Sequence, residues 1–256
     1  MRKMKISACV ANLVGRDLAL FLIEQKCDLD FVITCDDDPY EEEIYNIFSS
    51  HGILCYRKID ANSDFFIKKL KSHNIDLVFL LWWPNIIKEK AIDAANTGFI
   101  NLHPSLLPFN RGKHPYYWSI VDGTPAGVSL HFINAEIDEG DILFQREIET
   151  SITTTGESLY AESLKCITEL FMDSYEKIIS SDLEPKKQSS NSSTFHYGKN
   201  IIKHSEIDLN KNYKAIDLIN IIRAKSFNKR PSSHFMLDGK KYYINIEIRE
   251  AGSLES

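Results

Sequence analysis

Short apolar runs alternate with helical patterns through the first half of this 256-residue chain. The apolar runs KISACVA, DLDFVIT, GILCY and DLVFLL have the length and composition of buried strands. Between them, apolar residues recur at helical spacing over residues 16–26, 40–50, 62–73 and 85–95. Because strands that alternate with helices pair in parallel through crossover connections, the pattern predicts an α/β fold with a Rossmann-like, mostly parallel sheet.

The pattern changes after the next strand, GFINL. GVSLHFIN and DILFQREI are two further strands, and a long helix over 156–180 is predicted to close the core. Residues 183–200 are rich in Ser, Asn and Lys without periodicity, which is typical of a linker. Beyond them, YKAIDLINIIRAKSF predicts a helix, and HFMLDGKKYYINIEI predicts a β-hairpin that turns at Asp238-Gly239. We therefore predict a main domain over 1–185 and, over 186–256, a linker with a small C-terminal helix-plus-hairpin subdomain.

The composition excludes several classes of protein. A hydrophobic content of 43% and a charged content of 26% suit a globular chain with a substantial core, and a net charge of -6 argues against nucleic-acid wrapping. No stretch approaches the roughly 18 apolar residues of a membrane span, and Asn12, Arg16 and Asp17 interrupt any signal-peptide core. Five cysteines without CxxC spacing disfavour a disulfide framework and a thiolate zinc site. We expect a cytoplasmic protein without nucleic-acid or membrane partners.

Polar residues concentrate where the strand GFINL ends, in the stretch FINLHPSLLPFNRG. Asn101 and His103 are two residues apart, so their side chains can point the same way from a strand end, where α/β sheets bind ligands. Asp138 lies in the loop between the next two strands. Taken singly, a His before Pro is often a turn contact and an acidic loop is often a solvated turn. Together they offer an amide donor for an oxyanion, an imidazole, and a carboxylate that can orient it or move a proton.

Other chemistries fit the chain less well. His103, His114 and His131 lack the helical spacing of a zinc site, so we expect no metal. The first strand-to-helix turn, CVANLVGRD, lacks GxGxxG, so the parallel sheet does not predict a dinucleotide site. LWWPNII at 81–87 fits either core packing or an apolar cleft wall whose backbone pairs with a flat heterocycle.

The segment FINLHPSLLPFNRGKHPYYWSIVDGTPAGVSLHFINAEIDEGDI resembles the core motif of the formyltransferases that use 10-formyltetrahydrofolate. It matches Asn-x-His-Pro-Ser-x-Leu-Pro, Gly-Val-x-x-His and Asp-x-Gly-x-Ile, and the resemblance covers about residues 76–150. It implies the formyltransferase fold and a catalytic triad of Asn101, His103 and Asp138. Asn101 and His103 would donate to the formyl oxygen, while Asp138 would orient His103 and help move a proton to the leaving N10. The co-substrate implied is N10-formyltetrahydrofolate, with its pterin held by Trp82, Asn85, Ile86, Ile87, Ile133, Asn134, Ala135 and Ile137.

The family divides by acceptor. A glycinamide ribonucleotide transformylase would have a phosphate-binding Gly-Ser turn after the first strand, where this chain has ANLVG. A methionyl-tRNA formyltransferase would carry a larger basic C-terminal barrel, although residues 195–227 are similar to its linker. Residues 196–241 contain ten Lys/Arg and four Asp/Glu. This positive charge suits a small dianionic substrate, but Lys residues on a hairpin also commonly protect its edge from pairing with other chains.

Trp118 and the short tail most resemble the nucleotide-sugar N-formyltransferases. That resemblance implies formylation of a dTDP-linked amino-dideoxy sugar, with dTDP-4-amino-4,6-dideoxyglucose expected, for O-antigen, lipopolysaccharide or other surface glycans. Candidate contacts to the sugar nucleotide are the cations Arg111, Lys113 and Arg223 for the diphosphate and Phe227 for the base. A methionyl-tRNA formyltransferase and a catalytically silent folate-binding protein stay open as alternatives.

The tail also departs from the family pattern. KSFNKRPSSHF stands where the family usually has a Pro-rich turn that contains Gly, so the conformation of 226–234 is not predicted. The hairpin that follows could pair with the sheet of a second copy, and a homodimer is expected.

Overall fold

The computed structural model describes residues 3–189 and 193–251. The strands are β1 (Ile6–Val10), β2 (Leu29–Thr34), β3 (Cys55–Tyr56), β4 (Leu77–Leu81), β5 (Gly98–His103), β6 (Arg111–Gly112), β7 (Ala126–Phe132), β8 (Ile142–Ile148), β9 (Phe195–His196), β10 (Ser233–Leu237) and β11 (Lys240–Ile244). The helices are α1 (Asn12–Glu24), α2 (Glu41–Ser50), α3 (Asp64–His73), α4 (Glu89–Ile92), α5 (Pro115–Asp122), α6 (Gly156–Ile179), α7 (Asn200–His204) and α8 (Ala215–Ala224).

Seven strands form one sheet in the order β3-β2-β1-β4-β5-β7-β8. β1 pairs in parallel with β2 and β4, and the pairs β2–β3 and β4–β5 are also parallel. β7 is antiparallel to β5. The structure therefore confirms the predicted mostly parallel sheet, in which β1 and β4 are buried along their whole length.

The C-terminal hairpin is confirmed as well. β10 and β11 pair antiparallel, and Leu237 faces Lys240 across the turn. Asp238 and Gly239 both have positive φ, at 48° and 74°. This is the pair of left-handed residues that a tight two-residue hairpin requires, and Asp-Gly is a favoured sequence for it.

Some short elements differ from the sequence pattern. The helix predicted over 85–95 is only Glu89–Ile92, because the residues that follow β4 form a loop in which Trp82 has a φ of 59°. β6, in the loop after β5, pairs in parallel with β9, which lies in the stretch predicted as a linker. Unlike the two-residue strand β3, which lies in the apolar run GILCY, β6 and β9 lie in polar stretches without periodicity, so the sequence pattern did not indicate them.

Tertiary contacts divide the chain into two units, each built from three segments. Unit 1 contains the residues up to His103, Ser129–Gln145 and Ile167–Gln188. Unit 2 contains Pro104–Val128, Arg146–Cys166 and the residues from Ser189 onward. The domain boundary predicted between residues 185 and 186 stays a prediction.

Unit 1 carries a buried apolar cluster that includes Phe31, Phe66, Trp83, Ile87 and Phe99. Ile133 packs against the same cluster. Two loops that are distant in sequence, after β4 and after β7, are therefore anchored in one core. Among the described residues, no helix combines the length and hydropathy needed to cross a bilayer.

Candidate active site

The candidate site starts from β5, which lies between β4 and β7 in the sheet. Asn101 and His103 both belong to this strand, and the period of two along a strand places them on one face. In the antiparallel register, Asn101 faces His131 and His103 faces Ser129. The β5–β7 pairing therefore brings a second histidine beside the predicted amide donor.

His131 holds the side chain of Asn101. Its Nδ1 lies 2.7 Å from the carbonyl oxygen of Phe132, which can only accept a hydrogen bond, so Nδ1 carries the proton. The other ring nitrogen, Nε2, then has a lone pair and accepts from Nδ2 of Asn101 at 3.1 Å. This chain of bonds fixes which way the Asn101 amide points, and it leaves that nitrogen a second N–H to donate.

Burial keeps His131 neutral. Its side chain has no exposed surface, and desolvation lowers its pKa to about 4, helped by the nearby His103. Asp138 and the bond to the Phe132 carbonyl oppose this shift without cancelling it. At neutral pH the ring is thus an acceptor for Asn101, and the 3.8 Å approach of its Nε2 to Asp138 is not an ion pair.

Asp138 approaches His103 from the loop between β7 and β8. Its Oδ2 lies 3.6 Å from Nδ1 of His103, longer than a hydrogen bond and short enough for a charge interaction. The rings of His103 and His131 are perpendicular, with centroids 6.1 Å apart. The structure thus gathers the three residues of the predicted triad, together with His131.

The sequence prediction did not include His131 in the site. A signal was present, because this residue is the His of the Gly-Val-x-x-His motif. Its contact with Asn101 depends on the β5–β7 register, which joins residues 30 positions apart. Among residues 3–189 and 193–251, no group of three or more His, Cys, Asp or Glu side chains is placed to hold a metal ion.

The first predicted pterin segment is the loop after β4. It contains Trp82, Asn85, Ile86 and Ile87, and its C-terminal end is held in place. Ile87 is buried in the apolar cluster, whereas Ile86 is 65% exposed. The side chain of Asn62 bonds the backbone on both sides of Ile87. Its Nδ2 donates to the Ile86 carbonyl oxygen at 2.9 Å, and its Oδ1 accepts from the Lys88 N–H at 2.7 Å.

The second predicted pterin segment follows β7 and contains Ile133, Asn134, Ala135 and Ile137. The N–H of Ile133 donates to the carbonyl of Phe99 at 3.0 Å, which continues the pairing with β5. The side-chain oxygen of Asn134 then accepts from the Glu136 N–H at 3.0 Å and closes a tight turn. This segment therefore has a defined backbone conformation.

The predicted sugar-nucleotide residues lie in unit 2. Arg111 belongs to β6, and its Nη2 donates to the Ser193 hydroxyl at 3.4 Å; Lys113 is exposed. Arg223 is buried, and its guanidinium donates to the carbonyls of Ser151 and Thr154 and to Asn220. These bonds engage Nε and Nη1 of the guanidinium within unit 2. Phe227 is buried against Tyr116, with ring centroids 5.4 Å apart.

Trp118 is buried in α5 and stacks on His196 of β9, with ring centroids 3.9 Å apart and planes 5° from parallel. The carboxylate of Asp122 lies 3.0 Å from the same imidazole. His196 belongs to the stretch predicted as a linker, so part of that stretch packs in unit 2.

A family model described as formyl transferase matches residues 30–174, more than half of the chain. This chain belongs to the formyl transferase family. Its sheet is therefore the formyltransferase fold, and the protein is an enzyme of this family, as the sequence predicted. A second model, described as an N-formyltransferase dimerization C-terminal domain, matches residues 201–250.

Three relatives illustrate the range of the family. A methionyl-tRNA formyltransferase from Lachnospira eligens is 29% identical over 87% of this chain and 72% of its own length. A 4-N formyltransferase structure from Francisella tularensis has a TM-score of 0.79 at 24% identity, covering 96% of this chain and 98% of that one. An N-formyltransferase from Helicobacter canadensis in complex with folinic acid and dTDP-3-aminofucose has a TM-score of 0.69 at 20% identity, covering 92% and 85%. At these identities, the two similar structures show that this formyltransferase shares their fold.

Proposed function

We propose that this formyltransferase moves a formyl group from N10-formyltetrahydrofolate to the exocyclic amine of a dTDP-linked amino-dideoxy sugar. The first candidate acceptor is dTDP-4-amino-4,6-dideoxyglucose, a precursor type for surface glycans such as O-antigen. One observation carries the reaction type. The side-chain amide of Asn101 is held by His131 and lies on the same strand as His103, and the carboxylate of Asp138 lies 3.6 Å from the His103 imidazole.

These residues have complementary roles in the proposed transfer. A bond forms between the acceptor nitrogen and the formyl carbon, the bond from that carbon to N10 breaks, and the proton lost by the acceptor ends on N10. The Asn101 N–H that His131 leaves unused donates to the formyl oxygen as negative charge develops there. His103 donates to the same oxygen, and Asp138 orients His103 and holds the proton in transit. Bound N10-formyltetrahydrofolate supplies the activated formyl group.

The loops after β4 and β7 fit a pterin ring. Ile87 and Ile133 share one apolar cluster, which gives the ring an apolar wall. The exposed Ile86 lies in a loop whose backbone is held by Asn62, so its remaining polar groups are preorganised to pair with a heterocycle. The similar structure from Helicobacter canadensis is a complex with folinic acid, which supports a folate as the co-substrate.

Asn62→Ala should weaken folate binding by roughly tenfold. The variant loses the hydrogen bonds to Ile86 and Lys88, so the loop is no longer ordered before the pterin ring binds. The measurement is the dissociation constant of folinic acid, followed by quenching of Trp82 and Trp83 fluorescence. Asn46→Ala, an exposed Asn on α2, is the control and should bind folate as the wild type does. Equal folate affinity in both variants would show that Asn62 does not preorganise the loop for the pterin.

The turn between β1 and α1 argues against a ribonucleotide phosphate there. Asp38 accepts hydrogen bonds from the N–H of Asn12 at 2.7 Å and from the N–H of Tyr40 at 3.0 Å. Its carboxylate therefore occupies the first N–H of helix α1, where an anion would otherwise bind. A phosphate at this position would have to displace it and meet its negative charge, which disfavours glycinamide ribonucleotide as the acceptor.

The C-terminal subdomain supports a sugar-nucleotide acceptor. Residues 201–250 match the C-terminal domain model of N-formyltransferases, and the similar structure from Helicobacter canadensis is a complex with dTDP-3-aminofucose. Arg111 and Lys113 are the proposed diphosphate contacts. Arg223 and Phe227 stay predicted contacts, although Nε and Nη1 of Arg223 already donate to protein oxygens. The identity with a methionyl-tRNA formyltransferase keeps that acceptor as the second candidate.

A direct assay separates the candidates. The protein is incubated with N10-formyltetrahydrofolate and, in parallel, with dTDP-4-amino-4,6-dideoxyglucose, its 3-amino isomer, or methionyl initiator tRNA. Tetrahydrofolate release is followed, and the formylated product is identified by mass. Turnover with an amino sugar is expected. Turnover with the charged tRNA and none with any amino sugar would overturn the proposal, and folate binding without turnover of any acceptor would point to a silent binding protein.

We also propose a homodimer through the hairpin. Met236, Leu237, Tyr242 and Tyr243 expose between 42% and 59% of their surface on this short two-stranded sheet. Tyr243→Glu should shift the sedimentation coefficient from dimer to monomer, because a buried unpaired carboxylate is costly at an apolar interface. Ile152→Glu, an exposed apolar residue outside the matched C-terminal domain, should leave it unchanged. A wild-type monomer would contradict the proposal.

A further inference from the structure

Gln188 contacts the loop that carries Asp138. It lies two residues after Lys186, whose backbone N–H and C=O both bond Ile142 at 2.8 Å. The side-chain Nε2 of Gln188 donates to the carbonyl oxygens of Asp138 and Gly140, each at 2.8 Å. Because both partners can only accept, the amide orientation is unambiguous. One side chain therefore clamps the backbone on both sides of residue 139.

The clamped backbone is conformationally constrained. Asp138 has a φ of 55°, in the left-handed region that non-glycine residues rarely adopt. Gly140 lies so close to β7 that a Cβ built on it would be 1.8 Å from the carbonyl oxygen of Phe132. The loop must therefore fold tightly onto the strand end. A left-handed Asp needs support from its surroundings to keep this conformation.

We infer that Gln188 is a positioning residue for Asp138: by holding the carbonyls of residues 138 and 140, it sets the distance between the Asp138 carboxylate and His103. This inference rests on the proposed role of Asp138 and extends it to a residue 50 positions away in the chain. Both hydrogen bonds of the Gln188 side chain go to backbone carbonyls of the loop, so Gln188 acts through the placement of Asp138.

Gln188→Glu tests the clamp with almost no change in shape. The carboxylate cannot donate to the two carbonyls and repels them. We expect kcat to fall ten- to thirtyfold while KM for the folate changes less than twofold. Gln188→Met removes the donors without adding charge and should give a smaller loss in the same direction, which keeps the test valid if the Glu variant folds poorly. Gln25→Glu, the same chemical change on the surface, is the matched control and should retain kcat.

A double-mutant cycle separates positioning from a general structural role. In an Asp138→Asn background, Gln188→Glu should cause less than a twofold further loss of kcat, because the carboxylate that it positions is already gone. An equal loss in both backgrounds would overturn the inference.

Hydrogen–deuterium exchange tests the clamp independently of turnover. The peptide covering 133–141 should exchange at least fivefold faster in Gln188→Glu than in the wild type or Gln25→Glu. Unchanged exchange would refute the clamp even if activity fell. Faster exchange with wild-type kcat would refute positioning. If the wild type formylated no amino sugar, the proposed function would fail, whereas the exchange result would still decide whether Gln188 holds the loop.

Discussion

Asn101→Ala should lower kcat at least a hundredfold, and His103→Ala should do the same. Each variant loses a donor aimed at the oxygen on which charge develops, and a hundredfold corresponds to about 2.7 kcal/mol of transition-state stabilisation. Folate affinity should change little, because neither residue belongs to the two pterin segments. The measurements are steady-state kinetics with the amino-sugar acceptor and Trp fluorescence quenching by folinic acid.

Two further variants sharpen this test. Asn101→Asp keeps the shape of the side chain and replaces its N–H with a carboxylate oxygen, so it should be no more active than Asn101→Ala. Asn96→Ala loses two exposed hydrogen bonds, to the Asn74 carbonyl and to Asp76, and should keep wild-type kcat. Wild-type kcat in both Asn101→Ala and His103→Ala would refute the proposed triad.

Acid should destabilise the protein through His131 by about 3 kcal/mol. Burial lowers the folded pKa of this imidazole to about 4, against an ordinary value of 6.5 in the unfolded chain. Between these values the unfolded state binds more protons, so the stability contributed by neutral His131 is complete above pH 6.5 and is lost as pH falls toward 4. Each pKa unit corresponds to about 1.4 kcal/mol.

The matched comparison is with His131→Phe, which keeps a ring in the core and cannot titrate. The free energy of unfolding of both proteins is measured by urea denaturation from pH 8 to pH 4.5. The wild type should be the more stable at pH 8, since the variant strands the Phe132 carbonyl and the Asn101 amide. This advantage should shrink by most of 3 kcal/mol at pH 4.5. Parallel stability curves would contradict a buried neutral His131.

The sequence placed Asn101 and His103 together because their geometry is local, whereas Asp138, 35 residues after His103, joined the predicted triad through the resemblance to the formyltransferase motif. Asn101 and His103 share one strand, and period-two alternation places them together whatever the strand pairs with. His131, Asn62 and Gln188 were outside the prediction because their contacts are not local. His131 reaches Asn101 through strand register, while Asn62 and Gln188 bond backbone carbonyls 24 and 50 residues away. Backbone acceptors are the same for every residue type, so no sequence pattern marks them.

For basic side chains, the sequence shows the charge but not the groups that it contacts. Arg223 was predicted to meet a diphosphate, which stays a prediction, and its Nη1 also donates to the Ser151 and Thr154 carbonyls inside unit 2. Sequence identifies a charge without showing what neutralises or satisfies it. The same holds for Asp38, whose carboxylate binds the start of helix α1 from a position 26 residues later in the chain.

The interleaving of the two contact units bears on how the chain folds during synthesis. The chain passes between the units five times, and the last segment of unit 1 ends at Gln188. The ribosome must therefore translate past Gln188 before the loop that carries Asp138 can be clamped, although the triad is encoded by residue 138. A nascent chain released at residue 185 would have all three triad residues and would lack both the Lys186 bridge and the Gln188 amide.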